Sequence, residues 1–190
     1  GLLDDILKND VMDICFVQEY WLLPQMLHVL DTVNDGYISI ASSAMGPAIK
    51  QGPLVGRPFG GVAIYVRKYL CNDLRCIVKE DRFIVITIGS VLCVNVYLPV
   101  CKQIYAYLNA LTSVFASLSN FIDMHAGYEV IIGGDFNFQS NDGHHGYASL
   151  QNFMHQYSMK ICDDLFHCNC FTYFNEASNS KSFIDHFAVS

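Results

Sequence analysis

The sequence has few charged residues, no long apolar run and no internal repeat. Charged side chains make up 15% of the 190 residues and hydrophobic side chains 52%, a balance that argues against an intrinsically disordered chain. The apolar stretch Val91–Val100 is interrupted by Asn95 and Pro99, and it stays below the roughly 18 residues that a membrane-spanning helix needs. No linker or low-complexity segment divides the sequence. We therefore predict one globular domain over the whole chain, 1–190.

Basic residues are also scarce. Lys and Arg number 11 against 18 Asp and Glu, which gives a formal net charge of −7. Arg57, Arg67 and Lys68 are too few and too scattered to form the basic stripe of a protein held on nucleic acid by charge alone. The charge does not exclude an enzyme acting on phosphate esters, because a metal ion and local basic side chains can bind a phosphate on an acidic body.

The eight cysteines show no paired disulfide framework, and Cys15 and Cys93 lie in predicted buried strands. Four residues near the carboxyl end offer a zinc site as an alternative: Cys162, His167, Cys168 and Cys170. They contain no C-x-x-C pair, so the spacing favours reduced thiols in a nuclear or cytoplasmic protein. The pair His144-His145 is typical of a solvated turn, with metal binding as a weaker hypothesis.

Hydrophobic periodicity predicts many short strands and a few helices. The predicted helices are 2–9, 24–30, 104–124 and 147–156. The predicted strands are 12–17, 37–41, 61–67, 74–79, 82–88, 91–98, 129–132, 159–162, 170–174 and 183–189. The segment 42–60, rich in Gly and Pro, is predicted as a long surface loop, and such loops are often functional. The pattern favours a mixed α+β fold with two sheets packed face to face and flanked by helices.

Three apolar runs carry an acid at or near their end. Glu19 follows one predicted strand, Asp135 and Asn137 follow a second after two glycines, and Asp185 lies within a third. A buried carboxylate costs several kcal/mol unless it is paired or bound to a metal ion. We therefore predict that these residues share one site, and their oxygen ligands favour Mg²⁺ or Mn²⁺ over zinc.

The spacing of Asp135 and Asn137 predicts a shared direction. Residues two apart in an extended segment point to the same side, which would place an acceptor and a donor side by side. Each candidate also has a structural interpretation. Glu19 is compatible with a helix cap, Asp135 with Asn137 is compatible with a turn, Tyr97 with strand packing, and His186 with a hydrogen-bonded core or surface histidine.

Six motifs, in this order, resemble the endonuclease/exonuclease/phosphatase superfamily, and in particular the endonuclease domain of non-LTR (LINE-type) retrotransposons. They cover nearly the whole chain: Phe16–Leu22 with its Gln-Glu pair, Gly56–Ile64 (GRPFGGVAI), Asn95–Pro99 (NVYLP), Gly133–Asn137 (GGDFN), Phe171–Tyr173 (FTY) and Ser182–Phe187 (SFIDHF). The resemblance implies a four-layer α/β/β/α sandwich of the DNase I-like type. It also implies Mg²⁺-dependent (or Mn²⁺-dependent) phosphodiester hydrolysis.

Carried over by motif, the resemblance assigns Glu19 as a metal ligand. Asp135 would orient or deprotonate the attacking water, and Asp185 would orient a catalytic histidine, as the acid does in other triads. Together these residues would support in-line displacement at phosphorus.

Three further residues are expected at the substrate. Asn137 would hydrogen-bond the phosphate or the water, and Tyr97 would contact the scissile phosphate or support its neighbours. The same motifs place Ser182 among the substrate-binding residues. DNA is the expected substrate, with no membrane partner and no obligate oligomer.

The sequence departs from the family at both ends. It has neither an initiator Met nor the basic start of a signal peptide, and it lacks the family's first strand, which carries a metal-site Asn. The family's Ser-Asp-His ending is also absent, unless His186 itself is the base. We therefore expect a piece of a longer protein, a domain incomplete at both termini and an impaired enzyme.

The leading hypothesis is a DNA-nicking endonuclease of a retroelement, fused to a reverse transcriptase in the parent protein. Two alternatives remain at this point. One is another branch of the superfamily, such as an abasic-site endonuclease, a DNase or a phosphatase, against which the Gly56–Ile64 segment argues. The other is a degenerate domain that folds or binds without catalysis.

Overall fold

The computed structural model describes residues 1–8, 12–52, 56–100, 103–138, 146–162 and 171–190. The chain divides into two compact units, Gly1–Val96 and Tyr97–Ser190. Each unit is described by itself.

In the parts of the first unit that the structure describes, there are two short α-helices, two 3₁₀ helices and six strands. Its α-helices are α1 (Leu2–Lys8) and α2 (Gly46–Gln51), and its 3₁₀ helices are Pro24–Thr32 and Lys68–Leu70. Its strands are β1 (Ile14–Gln18), β2 (Tyr37–Ser42), β3 (Val62–Arg67), β4 (Leu74–Lys79), β5 (Phe83–Ile88) and β6 (Val91–Tyr97). The last residue of β6 belongs to the second unit.

Strand β3 is the centre of one sheet of the first unit. It pairs antiparallel with β1 on one side and β2 on the other, and both Gln18 and Ser42 lie opposite Val62. Strands β4, β5 and β6 form an antiparallel meander. Strands β2 and β3 contact β5, so the two sheets pack face to face within this unit, as the sequence predicts.

One core cluster joins α1 and the first 3₁₀ helix to the β1–β3–β2 sheet. Its buried members are Leu7, Leu30, Tyr37, Ala63 and Tyr65. The Tyr65 hydroxyl donates to the Leu30 carbonyl oxygen over 3.0 Å, which satisfies the polar end of a buried ring. Burial raises the pKa of Tyr65 to about 12, so the phenol stays protonated at neutral pH.

Asn95 links the two sheets of the first unit. Its side chain is completely buried, and its Nδ2 donates to the carbonyl oxygens of Val17 (3.1 Å) and Ala63 (2.8 Å). Its Oδ1 accepts a hydrogen bond from the Gln18 side-chain amide. A buried amide is stable only when its hydrogen-bonding groups are satisfied, so Asn95 fixes the strand ends around Gln18.

Within its described residues, the second unit contains two helices and five strands. They are α3 (Ile104–Met124), β7 (Glu129–Asp135), α4 (Tyr147–Gln156), β8 (Lys160–Ile161), β9 (Tyr173–Asn175), β10 (Ser180–Ser182) and β11 (Asp185–Val189). Strand β11 pairs antiparallel with β7 and with β8, and β9 and β10 form a hairpin. Stacking of Phe115 on Phe153, with ring centroids 4.8 Å apart, joins α3 to α4.

Most predicted elements are confirmed, including α3 at its predicted bounds. The prediction of an unbroken loop over 42–60 is wrong, because α2 begins at Gly46 with Pro47 in its first turn, where proline is well tolerated. Strand β10 was not predicted, since its sequence Ser-Lys-Ser has no apolar alternation. The α+β class is confirmed. None of the helices in the described residues has both the length and the apolar composition needed to cross a bilayer.

We expect Asn95→Ala to lower the free energy of unfolding by about 2–4 kcal/mol, because each buried polar group left without its partner costs about 1–3 kcal/mol. Urea unfolding measures the change. Asn109→Ala is the matched control, since Asn109 is exposed on α3 and a surface change of this kind stays within about 0.5 kcal/mol. Equal stability of both variants would contradict the role assigned to Asn95.

Candidate functional site

The ends of β7 and β11 bring two predicted acids together. Asp135 is the last residue of β7 and is buried, and it lies directly opposite Asp185 in the antiparallel pair. Side chains directly opposite one another in such a pair stand on the same face, about 5 Å apart at Cβ. Asp185 is the first residue of β11, so its predicted place within a strand is corrected to a strand start. The two carboxylates therefore form one acidic pair.

Asn137 is fixed by a turn rather than by an extended segment. Its backbone N–H donates to Asp135 Oδ1 over 2.8 Å, and its φ is +57°. The premise of an extended segment through Asp135 and Asn137 is wrong, because β7 ends at Asp135 and the chain enters the left-handed region at Asn137. The turn interpretation describes this segment, since Asp and Asn side chains commonly bond to the backbone two residues away.

The segment after Tyr97 is tied to this turn at two points. The Leu98 N–H donates to the Asp135 carbonyl oxygen over 2.9 Å, and the Leu98 carbonyl accepts from Asn137 Nδ2 over 2.8 Å. An amide has two donor hydrogens and an acceptor oxygen, so this bond orients Asn137 without using its full capacity. Tyr97, half-buried at the end of β6, directly precedes Leu98 and is therefore one residue away from the backbone contact with Asp135.

Thr172 holds the start of β11. Its Oγ1 accepts from the backbone N–H groups of Ile184 (3.0 Å) and Asp185 (3.2 Å). Its own N–H donates to the Ser182 carbonyl oxygen over 3.0 Å, which ties Ser182 to the same corner through its backbone. The role of Thr172 was not predicted, although it lies in one of the family motifs. The sequence feature that could have indicated this role is a hydroxyl-bearing residue shortly before the strand that carries Asp185.

His186 has the surroundings of a core histidine. It is 2% exposed, and its ring meets Phe136 edge to face at a centroid distance of 5.2 Å. Its Nε2 lies 3.1 Å from the Phe138 carbonyl oxygen, and because a carbonyl only accepts, this nitrogen carries the proton. These contacts agree with the structural interpretation of His186.

Glu19 lies in the first unit, one residue beyond the end of β1. Its side chain is exposed, its φ is +57°, and its N–H donates to the Gly61 carbonyl oxygen over 3.0 Å. The next helix has Leu23 as its N-cap and no side-chain cap, so the helix-cap interpretation of Glu19 is wrong. The strand end instead presents the carboxylate to solvent on a fixed backbone.

The Tyr20 ring explains why glycine is needed beside Glu19. The Tyr20 hydroxyl donates to the carbonyl oxygens of Ser42 and Val62, and burial raises the pKa of this phenol. A Cβ placed on Gly61 would lie 2.7 Å from the ring, and Gly61 has φ +102°. Only a residue without a side chain fits this space and this conformation.

Glu19 could bind a divalent metal ion only if water molecules supplied most of the other ligands. Across the described residues, no group of three or more His, Cys, Asp or Glu side chains is placed to hold a metal ion. Mg²⁺ commonly keeps several waters and binds through one or two carboxylates together with substrate phosphates. An exposed carboxylate such as Glu19 suits that mode and not a closed cage.

Several metal hypotheses concern residues outside those that the structure describes. They are the histidine pair His144-His145 and three of the four zinc candidates, His167, Cys168 and Cys170. Among the described cysteines, Cys15, Cys71, Cys76 and Cys93 form no disulfide. Burial raises the pKa of Cys93 to about 11, which keeps that thiol protonated.

Comparison with solved structures identifies the architecture. An AP endonuclease from Archaeoglobus fulgidus superposes with a TM-score of 0.71 at 16% identity, covering 99% of this chain and 80% of that one. The chain has the DNase I-like fold. A 3'-5' exonuclease from Neisseria meningitidis (TM-score 0.65, 18% identity, 100% and 80% covered) and a mannosyl-6-phosphatase from Bacteroides thetaiotaomicron (TM-score 0.63, 18% identity, 100% and 75% covered) share it. These proteins belong to the endonuclease/exonuclease/phosphatase superfamily.

The DNase I-like fold confirms the predicted fold class. No family model matches the sequence, and no curated protein does. At these identities the likeness concerns the fold, and the named structures include an AP endonuclease and a mannosyl-6-phosphatase. The fold alone therefore does not separate the substrate classes that the sequence left open.

We expect Gly61→Ala to cost about 2–5 kcal/mol of unfolding free energy. The estimate adds a positive-φ penalty of about 1–2 kcal/mol to an overpacking cost of about 1–3 kcal/mol against Tyr20. Gly89→Ala is the matched control, because Gly89 also has positive φ (+57°) but open space around a Cβ. Chemical denaturation measures the unfolding free energy of both variants, and the difference between their losses is the steric cost against Tyr20. Equal losses of unfolding free energy would show that Tyr20 does not constrain Gly61.

Asp185→Asn is expected to stabilise the fold while harming the site. Like charges directly opposite in an antiparallel pair are unfavourable by about 0.2–1 kcal/mol, which corresponds to a rise in Tm of up to roughly 4 °C for a chain of this size. Thermal melts at neutral pH test this. Asp81→Asn, in the exposed turn before β5, should leave Tm unchanged, and a drop in the Tm of Asp185→Asn would contradict the repulsion.

Proposed function

We propose that this chain hydrolyses phosphodiester bonds in DNA with a divalent metal ion, Mg²⁺ or Mn²⁺. The observation that carries the proposal is the corner of the second unit where Asp135 faces Asp185 and Asn137 is tied beside them. An acceptor pair next to an oriented amide is the arrangement that hydrolysis of a phosphate ester needs.

The acids and the amide take different parts. Asp135 accepts the proton of an attacking water or holds that water in line with phosphorus, since a carboxylate is an acceptor at neutral pH. Asn137 donates to a phosphate oxygen, and its bond to the Leu98 carbonyl fixes the direction of that donor. Asp185 orients the group that receives or supplies the proton. Both strand ends are rigid, which avoids reorganisation during the reaction.

Two residues complete the substrate contacts. Tyr97 directs its hydroxyl or ring toward the scissile phosphate from the end of β6, and Ser182 contacts substrate from the end of β10. Glu19, in the first unit, is the proposed metal ligand, and a divalent ion would supply Lewis-acid stabilisation of the negative charge that develops when a phosphate ester is hydrolysed.

The finer proposal is a DNA-nicking endonuclease of a non-LTR retroelement, with a reverse transcriptase in the parent protein. The Gly56–Ile64 segment supports it, together with the order of the other motifs. A nuclear or cytoplasmic location follows from that role and from cysteines without a paired framework. No oligomer is needed for the reaction.

The test is nicking of supercoiled plasmid by the purified chain, with protein in excess and with Mg²⁺ or EDTA. We expect nicking that EDTA abolishes, and losses of about 100-fold or more for Asp135→Asn and Asn137→Ala, the usual contribution of a positioned acid–base group or oxyanion donor. Asp81→Asn makes the same chemical change as Asp135→Asn at an exposed turn and should keep the parental rate.

A substrate panel separates the alternatives. The same preparations are assayed on an abasic-site duplex, on linear DNA ends and on mannose 6-phosphate. A preference for any of these over intact supercoiled DNA would assign the chain to another branch of the superfamily. Absence of metal-dependent cleavage of every substrate, by a chain shown to be folded, would reject the proposal in favour of a non-catalytic domain.

A further inference from the structure

The segment after β1 has two residues in the left-handed backbone conformation, which is unusual for residues other than glycine. Glu19 has φ +57° and Trp21 has φ +58°, with Tyr20 between them. Their N–H groups donate to the carbonyl oxygens of Gly61 and Gly60, each over 3.0 Å. Non-glycine residues rarely adopt this region, and when they do the surroundings hold them there, often at functional positions. The strain therefore needs an explanation at Trp21 as well as at Glu19.

This backbone sends two aromatic side chains in opposite directions. Tyr20 packs inward, where its hydroxyl reaches two backbone carbonyls. Trp21 points outward and is 46% exposed, although a free indole of this size would normally be covered. The sequence contains a single tryptophan, and it is placed at this position.

The residues just before β3, whose backbone binds the Trp21 N–H, supply a cation and a second exposed ring. The Arg57 guanidinium lies over the indole, 5.2 Å from its centroid. Phe59 is 56% exposed, and its N–H is fixed to Met45 Sδ over 3.3 Å. Phe59 directly precedes Gly60, whose carbonyl binds the Trp21 N–H. Two exposed rings and one guanidinium are thus carried by backbone segments that hydrogen-bond to each other.

Two exposed rings beside a guanidinium group match the chemistry of a nucleotide, which has an aromatic base and a phosphate. Aromatic faces stack on bases regardless of base identity, and guanidinium groups pair with phosphate oxygens. The chain carries a net charge of −7, which repels a polyanion overall, so a local cation beside the rings is the complementary feature. A protein partner would not require that charge.

We propose that Trp21, Arg57 and Phe59 form a binding site for an unpaired nucleotide, with a base stacked on the exposed indole and its phosphate on Arg57. The inference rests on the proposed function, because it takes DNA to be the substrate. It goes beyond that proposal by naming single-stranded or frayed DNA as the form bound and by assigning residues without a catalytic role.

The single tryptophan makes the site directly observable. In EDTA, where metal-dependent cleavage is prevented, a short oligothymidylate should quench the intrinsic tryptophan emission on binding, because the base stacks on the indole. A deoxyribose-phosphate oligomer of the same length without bases should bind about 5- to 150-fold more weakly, the range measured when one stacking partner is removed. Equal affinity for both oligomers would overturn the stacking proposal and leave a phosphate contact only.

Variants separate stacking from charge. By fluorescence anisotropy of a labelled oligothymidylate, Trp21→Leu should weaken binding by a similar factor, whereas Trp21→Phe should retain most of the affinity. Arg57→Gln should weaken binding and reduce the slope of log affinity against log salt by about one. Tyr105→Leu, which removes an aromatic ring that is 83% exposed on α3, is the matched control and should bind normally.

Failure of this site and failure of the proposed function are distinguishable. Unchanged affinity in Trp21→Leu would overturn the nucleotide site, whatever the plasmid assay shows. Quenching by oligothymidylate without any plasmid nicking would support the site while rejecting catalysis by this chain.

Discussion

The register between β7 and β11 is the constraint on which the candidate site depends. Because side chains alternate between the two faces of a strand, a slip by one residue would turn Asp185 away from Asp135 and expose the buried His186 position instead. The apolar residues of β11, notably Ala188, fix that register from the core side. The site is therefore specified by packing several residues away from the acids themselves.

Holding two acids opposite one another has a cost that the neighbouring hydrogen bonds offset. Thr172 Oγ1 accepts from the backbone N–H of Asp185, and the Leu98 N–H donates to the Asp135 carbonyl oxygen. These two bonds engage the main-chain groups of the acids and hold their positions, while the rest of the fold supplies the stability.

The sequence predicted what periodicity and motifs encode, and it missed what depends on turn geometry. Helix α3 was predicted from its apolar stripe at helical spacing, and the buried strands β3, β5 and β6 were predicted because each is a short, mostly apolar run. The extended backbone assumed at Asn137 was wrong, because a single left-handed residue there ends the extended segment. The helix α2 was missed because Gly and Pro, which signal loops, also begin helices. The metal-ligand and substrate roles of Glu19, Tyr97 and Ser182 remain predictions.

Five non-glycine residues in the described parts of the chain have positive φ, and Glu19, Trp21 and Asn137 are three of them. The backbone conformation alone favours glycine at each position, since glycine adopts it without steric penalty. A procedure that redesigned this chain for thermal stability alone would therefore erase these three side chains first. The positions where backbone conformation and side-chain identity conflict mark out, without any assay, three residues worth protecting in any engineered version of the protein.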